Sequence, residues 1–110
     1  MRDDKERLFD ILQAIELLEK HLGERKELHQ LNELSFLGVV RCIEVIGEAC
    51  KNLSDHLKDK YKDIPWRQTA NMRNILIHQY FNIDVDKVEK VVKVDLPKLK
   101  VKIEEIVKKL

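Results

Sequence analysis

Residues 72–81 read Met-Arg-Asn-Ile-Leu-Ile-His-Gln-Tyr-Phe, and four of them carry groups suited to handling a phosphate ester. Arg73 is permanently charged and presents a planar fork that grips phosphate oxygens. His78 has an ordinary pKa of about 6.5, so it gives and takes protons near neutrality. Asn74 can orient the imidazole or hydrogen-bond a substrate. Tyr80 can stack on a base, hydrogen-bond a phosphate or carry a modification. RNA brings its own nucleophile, the 2′-hydroxyl. An Arg/His pair can therefore cleave it without a metal, by aiding that attack and stabilising the charged phosphorus intermediate.

Each of these residues also has an ordinary reading. A single His near a helix end is commonly structural, an Arg on a mixed face is commonly salt-bridged, and Tyr80 beside Phe81 can simply anchor a core. Spacing adds a constraint. On an ideal helix Arg73 and His78 lie about 140° apart and do not share a face. Asn71, Asn74 and His78 form one stripe, whereas Arg73 lines up with Trp66, Ala70 and Ile77. One straight helix does not converge Arg73 and His78 on a small target. Two copies meeting about a two-fold axis would, because such an interface brings identical patches together.

The elements that must position this stretch read as helices. Three glycines and two prolines in 110 residues disfavour an all-β or loop-rich fold, and the abundant Leu, Lys and Glu favour helix. In the first helix, expected over residues 3–20, Leu8, Ile11, Leu12, Ile15, Leu18 and Leu22 recur at helical spacing, with Gly23 as the stop. Asn32 is a good N-cap for a second helix over residues 33–53. That helix is apolar almost all round. Arg41, Glu44, Glu48 and Lys51 form one narrow polar stripe, so burial on more than one side is expected, one of them against a second subunit. Gly47 in its middle reads either as a close-approach point or as a tolerated glycine. Ser54 and Asp55 open a short helical turn to about Tyr61. Pro65 fits the first position of the next helix, which carries residues 72–81, and Trp66 reads as its packing anchor. Asp84 caps a last segment in which Val88, Val92, Leu96, Leu99, Ile103 and Ile106 keep helical spacing through Pro97. This predicts one kinked helix or two helices meeting there, with a strand at Val88–Val94 as the minor alternative. Val85 and Leu110 are counted with its apolar positions. The whole chain, residues 1–110, is expected to form a single all-α domain, an antiparallel bundle of four to five helices.

Charge and cysteine usage narrow the function classes. Twenty-one basic against 20 acidic side chains leave a formal charge of +1, which argues against a long basic nucleic-acid groove while permitting a local basic site. Lys87, Lys90, Lys93, Lys98, Lys100 and Lys102 could form a basic rim, but a solvated helix face is the simpler reading. There is no membrane-spanning apolar run and no signal-peptide pattern, so a cytoplasmic location is expected. Cys42 and Cys50, about 12 Å apart along one helix, cannot pair within it. They read as two buried thiols, with a disulfide between chains as the minor alternative. No cofactor is implied: His21, His29, His56 and His78 lack zinc spacing, and there is no glycine-rich phosphate loop and no Ser-His-Asp pattern.

The stretch Met72–Phe81 followed by Asn82-Ile83-Asp84 resembles the signature of the HEPN superfamily (higher eukaryotes and prokaryotes nucleotide-binding), and most of all its HepT-like toxin branch. The signature is Arg, a polar residue, spacers, His, one residue, then Tyr. Residues 1–20, 41–54, 64–78 and 95–100 are also similar to that family, so the likeness runs over nearly the whole chain. The resemblance implies a dimerising helical bundle. It implies a metal-independent ribonuclease site in the dimer cleft, with Arg73 and His78 catalytic and Asn74 assisting. It further implies a toxin role opposite a small nucleotidyltransferase antitoxin of the MNT type, which in related pairs transfers AMP from ATP onto the motif tyrosine, here Tyr80. Two rival readings stand beside it: a non-catalytic module that binds a nucleotide or partner, and a purely structural helical dimer.

Overall fold

The computed structural model describes residues 2–23, 27–77 and 84–110, with the side chains of residues 73 and 75–77 left aside. Helix α1 spans Asp4–Leu22. Its start is a capping box: the Asp3 carboxylate accepts from the Glu6 N–H at 2.8 Å, and Glu6 accepts from the Asp3 N–H at 3.4 Å. It ends at Gly23, whose φ of 55° is the left-handed conformation that glycine adopts without a Cβ penalty. After a single 3-10 turn at Leu28–Gln30, Asn32 caps α2, Glu33–Lys51, by accepting from the Ser35 N–H at 2.8 Å. Ser54 caps the short α3, Asp55–Lys60, and both its backbone N–H and its hydroxyl donate to Asp4 at the start of α1. Helix α4 spans Trp66–Ile77. Pro65 stands one place earlier than expected, outside the helix, and its carbonyl accepts the first helical N–H, that of Thr69, at 2.9 Å.

The last segment is one continuous helical run: α5 at Val85–Lys90, a wider π turn at Val91–Asp95, and α6 at Leu96–Lys108. Asp84 caps its start by accepting from the Asp86 and Lys87 N–H groups. The π turn directly precedes Pro97, which lacks an N–H and would crowd the carbonyl four residues back in a regular α-helix. Widening the turn accommodates the proline without ending the helix. The alternative strand at Val88–Val94 is not formed, and no strand occurs among the described residues.

The apolar stripes expected from periodicity meet in one core. Leu8, Ile11, Ile15 and Leu18 of α1 are buried together with Val39, Ile43 and Ile46 of α2 and Leu96, Leu99, Ile103 and Ile106 of α6. Burying one such side chain stabilises the fold by roughly 1.5–3 kcal/mol. Leu110 departs from the expected stripe: it lies past the end of α6 and is exposed. Helix α2 packs on α1 along one side and on α4 along another, as its all-round apolarity required, and Gly47 is buried within it. It still leaves apolar surface over. Leu34 is 81% exposed and Leu37 50% on α2, and Phe9 and the 57%-exposed Leu17 add to it on α1. A shallow hollow of about 500 Å³ between α1 and α2 is lined by Ala14, Leu17, Cys42 and Val45. Both cysteines are free. Cys50 is buried, and burial pushes its thiol up to about 12; Cys42 is half-buried and raised for the same reason.

Candidate functional site

Helix α4 carries Arg73 and Asn74, and its own start is firmly held. Trp66 is 7% exposed, and its indole N–H donates to the Tyr61 carbonyl at 3.0 Å. Thr69 is buried, and its hydroxyl donates to the Pro65 carbonyl at 2.9 Å. With Ala70 half-buried, the Trp66–Ala70 register faces the core. Arg73 lies within α4. Trp66 is thus an anchor for the helix and offers no stacking platform.

The neighbouring stripe behaves differently. Asn71 and Asn74 are exposed, and both line a cleft of about 410 Å³ bounded by the end of α2, by α3 and by α4. Its other walls are Lys51, Asp55, Lys58, Trp66, Arg67 and Ala70. The shared face predicted for Asn71 and Asn74 is therefore realised as one wall of an open groove. His78 and Tyr80 lie outside the described residues, as does the side chain of Arg73.

Sequence periodicity missed two features. The first is the set of cations that line the groove with Asn74: Arg67 earlier on the same stripe of α4, Lys51 on α2 and Lys58 on α3. Lys51 and Lys58 join Arg67 only when the end of α2, α3 and α4 meet around one cleft. The second is a group at the contact between the 3-10 turn and α5, where ligand atoms of His29, Asp86 and Glu89 lie within 4.8 Å of one another, a grouping of metal-ligand type. His29 Nε2 is 2.8 Å from the Asp86 carboxylate, and this hydrogen bond raises the imidazole pKa above its usual value. Glu89 is already paired with Lys93. The sequence separation of 57 between His29 and Asp86 hid this cluster from any spacing rule.

The lysines of the last helical segment are partly committed elsewhere. Lys100 pairs with Glu19 at 2.8 Å and Lys102 with Asp63 at 2.7 Å. The Glu19 hydrogen bond holds Lys100 above its usual pKa, and the Lys102 hydrogen bond holds Asp63 below its own. With Lys93 paired as well, three of the six rim lysines are neutralised by carboxylates, in keeping with a solvated face.

This is an all-helical domain that presents an arginine- and asparagine-bearing helix beside an open polar groove. Residues 11–106 match the model of the family described as HepT-like, "Ribonuclease HepT-like". The chain belongs to the HepT-like ribonuclease family. It is 43% identical over 106 residues to a "Probable ribonuclease HepT" of Thermococcus cleftensis, covering 96% of each chain. It is also 43% identical over 111 residues to a "Gamma-glutamylcyclotransferase and putative RNase" of Methanocaldococcus jannaschii; 99% of this chain is aligned, and it spans about half of that longer protein, 50%. A "Putative RNase" of Caldanaerobacter subterraneus subsp. tengcongensis is 33% identical over 110 residues, covering 99% of this chain and 98% of its own length. No solved structure matches the chain. At the level of the family the comparisons thus point to RNA cleavage. Among the described residues, no helix is long and apolar enough to cross a membrane.

Proposed function

We propose that this chain is the toxin of a two-gene toxin–antitoxin pair: a cytoplasmic, metal-independent endoribonuclease whose site is composed by two copies of the chain. Arg73 and His78 are the catalytic residues and Asn74 supports them. The observation that carries this reading is the family match over residues 11–106, which spans the whole Arg73–His78–Tyr80 pattern. The chemistry follows from the residue types. The 2′-oxygen of the substrate bonds to phosphorus while the bond to the 5′-oxygen breaks. His78 takes the 2′ proton, and an imidazolium, His78 of the second copy, supplies the proton the 5′-oxygen needs. Arg73 stabilises the charge that builds on the phosphoryl oxygens. The products are a 2′,3′-cyclic phosphate and a 5′-hydroxyl. Because the nucleophile is internal to RNA, no metal-activated water is required.

Two arguments support the homodimer. On an ideal helix Arg73 and His78 would diverge by about 140°, and α1 and α2 carry leftover apolar surface at Phe9, Leu17, Leu34 and Leu37, which a second copy could cover. The antitoxin of this reading is a small nucleotidyltransferase of the MNT type that transfers AMP from ATP onto the Tyr80 hydroxyl, releasing pyrophosphate. The adduct sets a bulky charged group two residues from His78 and obstructs the cleft.

The test is RNA cleavage by purified protein in excess chelator, beside Arg73→Ala and His78→Ala, with sedimentation of each. The expected result is a dimer that yields cyclic-phosphate ends and loses about a hundredfold or more of its rate in either variant. Undiminished cleavage in both variants, or no cleavage by folded dimer, overturns the nuclease assignment. Incubation with the nucleotidyltransferase and ATP should add the mass of AMP to wild type and not to Tyr80→Phe.

A further inference from the structure

The groove beside Asn74 has a charge composition unlike that of the chain as a whole. Three cations, Lys51, Lys58 and Arg67, face one carboxylate, Asp55, in a protein whose formal charge is only +1. Lys51 and Arg67 are exposed and have no carboxylate partner among the described residues, whereas Arg2, Arg41, Lys93, Lys100 and Lys102 are each engaged by one. Lys58 has a separate task. Its ammonium donates to the Lys51 carbonyl at 3.0 Å, at the end of α2, where the helix dipole is negative and would repel an anion. With that end neutralised, the groove floor tolerates phosphate.

We infer that this groove is the track along which single-stranded RNA reaches the motif, Lys51 and Arg67 neutralising backbone phosphates of nucleotides that flank the one being cut. This rests on the ribonuclease reading above and adds a substrate-binding surface to it. Asn74 belongs to both the groove wall and the motif, so a strand lying in the groove is delivered to the end of α4. The walls also predict how the strand is read. Asn71 and Asn74 offer hydrogen bonds to sugar or phosphate. Trp66 is buried with its indole N–H already used, so among the described residues of the groove no ring is free to stack on a base. The groove therefore contributes affinity and positioning without base preference.

The experiment measures binding of a labelled single-stranded oligoribonucleotide over a range of KCl, in a His78→Ala background to prevent turnover. Lys51→Gln/Arg67→Gln should bind about tenfold more weakly at physiological salt, and its log Kd against log salt plot should flatten by about 1.4, two phosphate contacts at about 0.7 each. Lys98→Gln/Lys108→Gln removes the same charge from α6 and should change affinity less than about twofold. Asp55→Asn, which removes the opposing carboxylate, should tighten binding. With His78 restored, the Lys51/Arg67 variant should raise KM with little change in kcat. An unchanged salt slope, or equal losses in the two double variants, overturns the groove. If wild type cleaves RNA normally while the groove variant binds and cuts as well as wild type, only the groove assignment fails. If wild type neither binds nor cuts RNA, the ribonuclease reading falls with it.

Discussion

The helix that carries Arg73 and Asn74 is anchored at its start by the Trp66 indole, and Trp66→Phe tests how much that anchor is worth. Trp66 is 7% exposed, so phenylalanine keeps most of the apolar burial. Two things are lost. The indole's hydrogen bond to the Tyr61 carbonyl, 3.0 Å long, is lost; that carbonyl keeps the Ile64 N–H at 3.3 Å and is not orphaned, so the loss is the net worth of one hydrogen bond, about 1 kcal/mol at most. The missing part of the indole leaves a void of roughly 40 Å³, which at about 24 cal/mol per Å³ adds about 1 kcal/mol. The sum, about 2 kcal/mol, corresponds to a Tm lower by about 8 °C for a domain of this size. The assay is thermal unfolding followed by far-ultraviolet circular dichroism at one fixed chain concentration, because an assembling protein has a concentration-dependent Tm. Thr69→Val is the control. Its hydroxyl donates to the Pro65 carbonyl, but that carbonyl also accepts the Thr69 backbone N–H, so valine leaves no orphaned group and should change stability by less than about 1 kcal/mol. A Trp66→Phe shift below about 2 °C, or a Thr69→Val loss as large as that of Trp66→Phe, would refute the argument that the indole's hydrogen bond and volume hold α4.

Three further outcomes follow from the fold. Ile103 is fully buried in α6, and Ile103→Ala should cost about 2–5 kcal/mol in denaturant unfolding; less than about 1 kcal/mol would place it outside the core. The hydrogen bond to Asp86 raises the His29 pKa, so its stabilisation is complete below the unfolded value, near 6.5, and is lost as pH rises through the higher folded value. In NMR titration the His29 ring should therefore titrate above that of an unpaired His and return toward it in Asp86→Asn, and an unchanged midpoint would remove the contact. Cys50, with its thiol at about 12, should resist alkylation of native protein at pH 8 while the half-buried Cys42 reacts slowly, as read by peptide mass; prompt labelling of Cys50 would contradict its burial.

Much of the fold was legible because local rules and the global packing agree. Asp3, Asn32, Ser54 and Asp84 each cap a helix in the place their side-chain chemistry favours, and Gly23 stops α1 because the chain there needs a positive φ. The periodic Leu and Ile positions of α1 and α6 became the core because a 3.6-residue repeat permits only one buried face. Pro97 was legible as an interruption, but its form was not. The sequence permitted a kink or a break, and the packed α6 selected a π turn that keeps the helix running.

The candidate site divides along the same line. By itself the sequence determined that Arg73, Asn74, His78 and Tyr80 stand within eight residues, and that Asn71 and Asn74 share a stripe, because helical geometry converts spacing directly into direction. What tertiary structure decided is which surface meets that stripe. Lys51, Lys58 and Arg67 belong to three different helices, and no periodicity links them. They line one groove because α2 packs against α4 while Ser54 and Asp4 pin the start of α3 to α1. His29 and Asp86 meet across 57 residues for the same kind of reason: chain neighbours are set by covalent geometry, but distant groups become neighbours only when the apolar faces between them are buried.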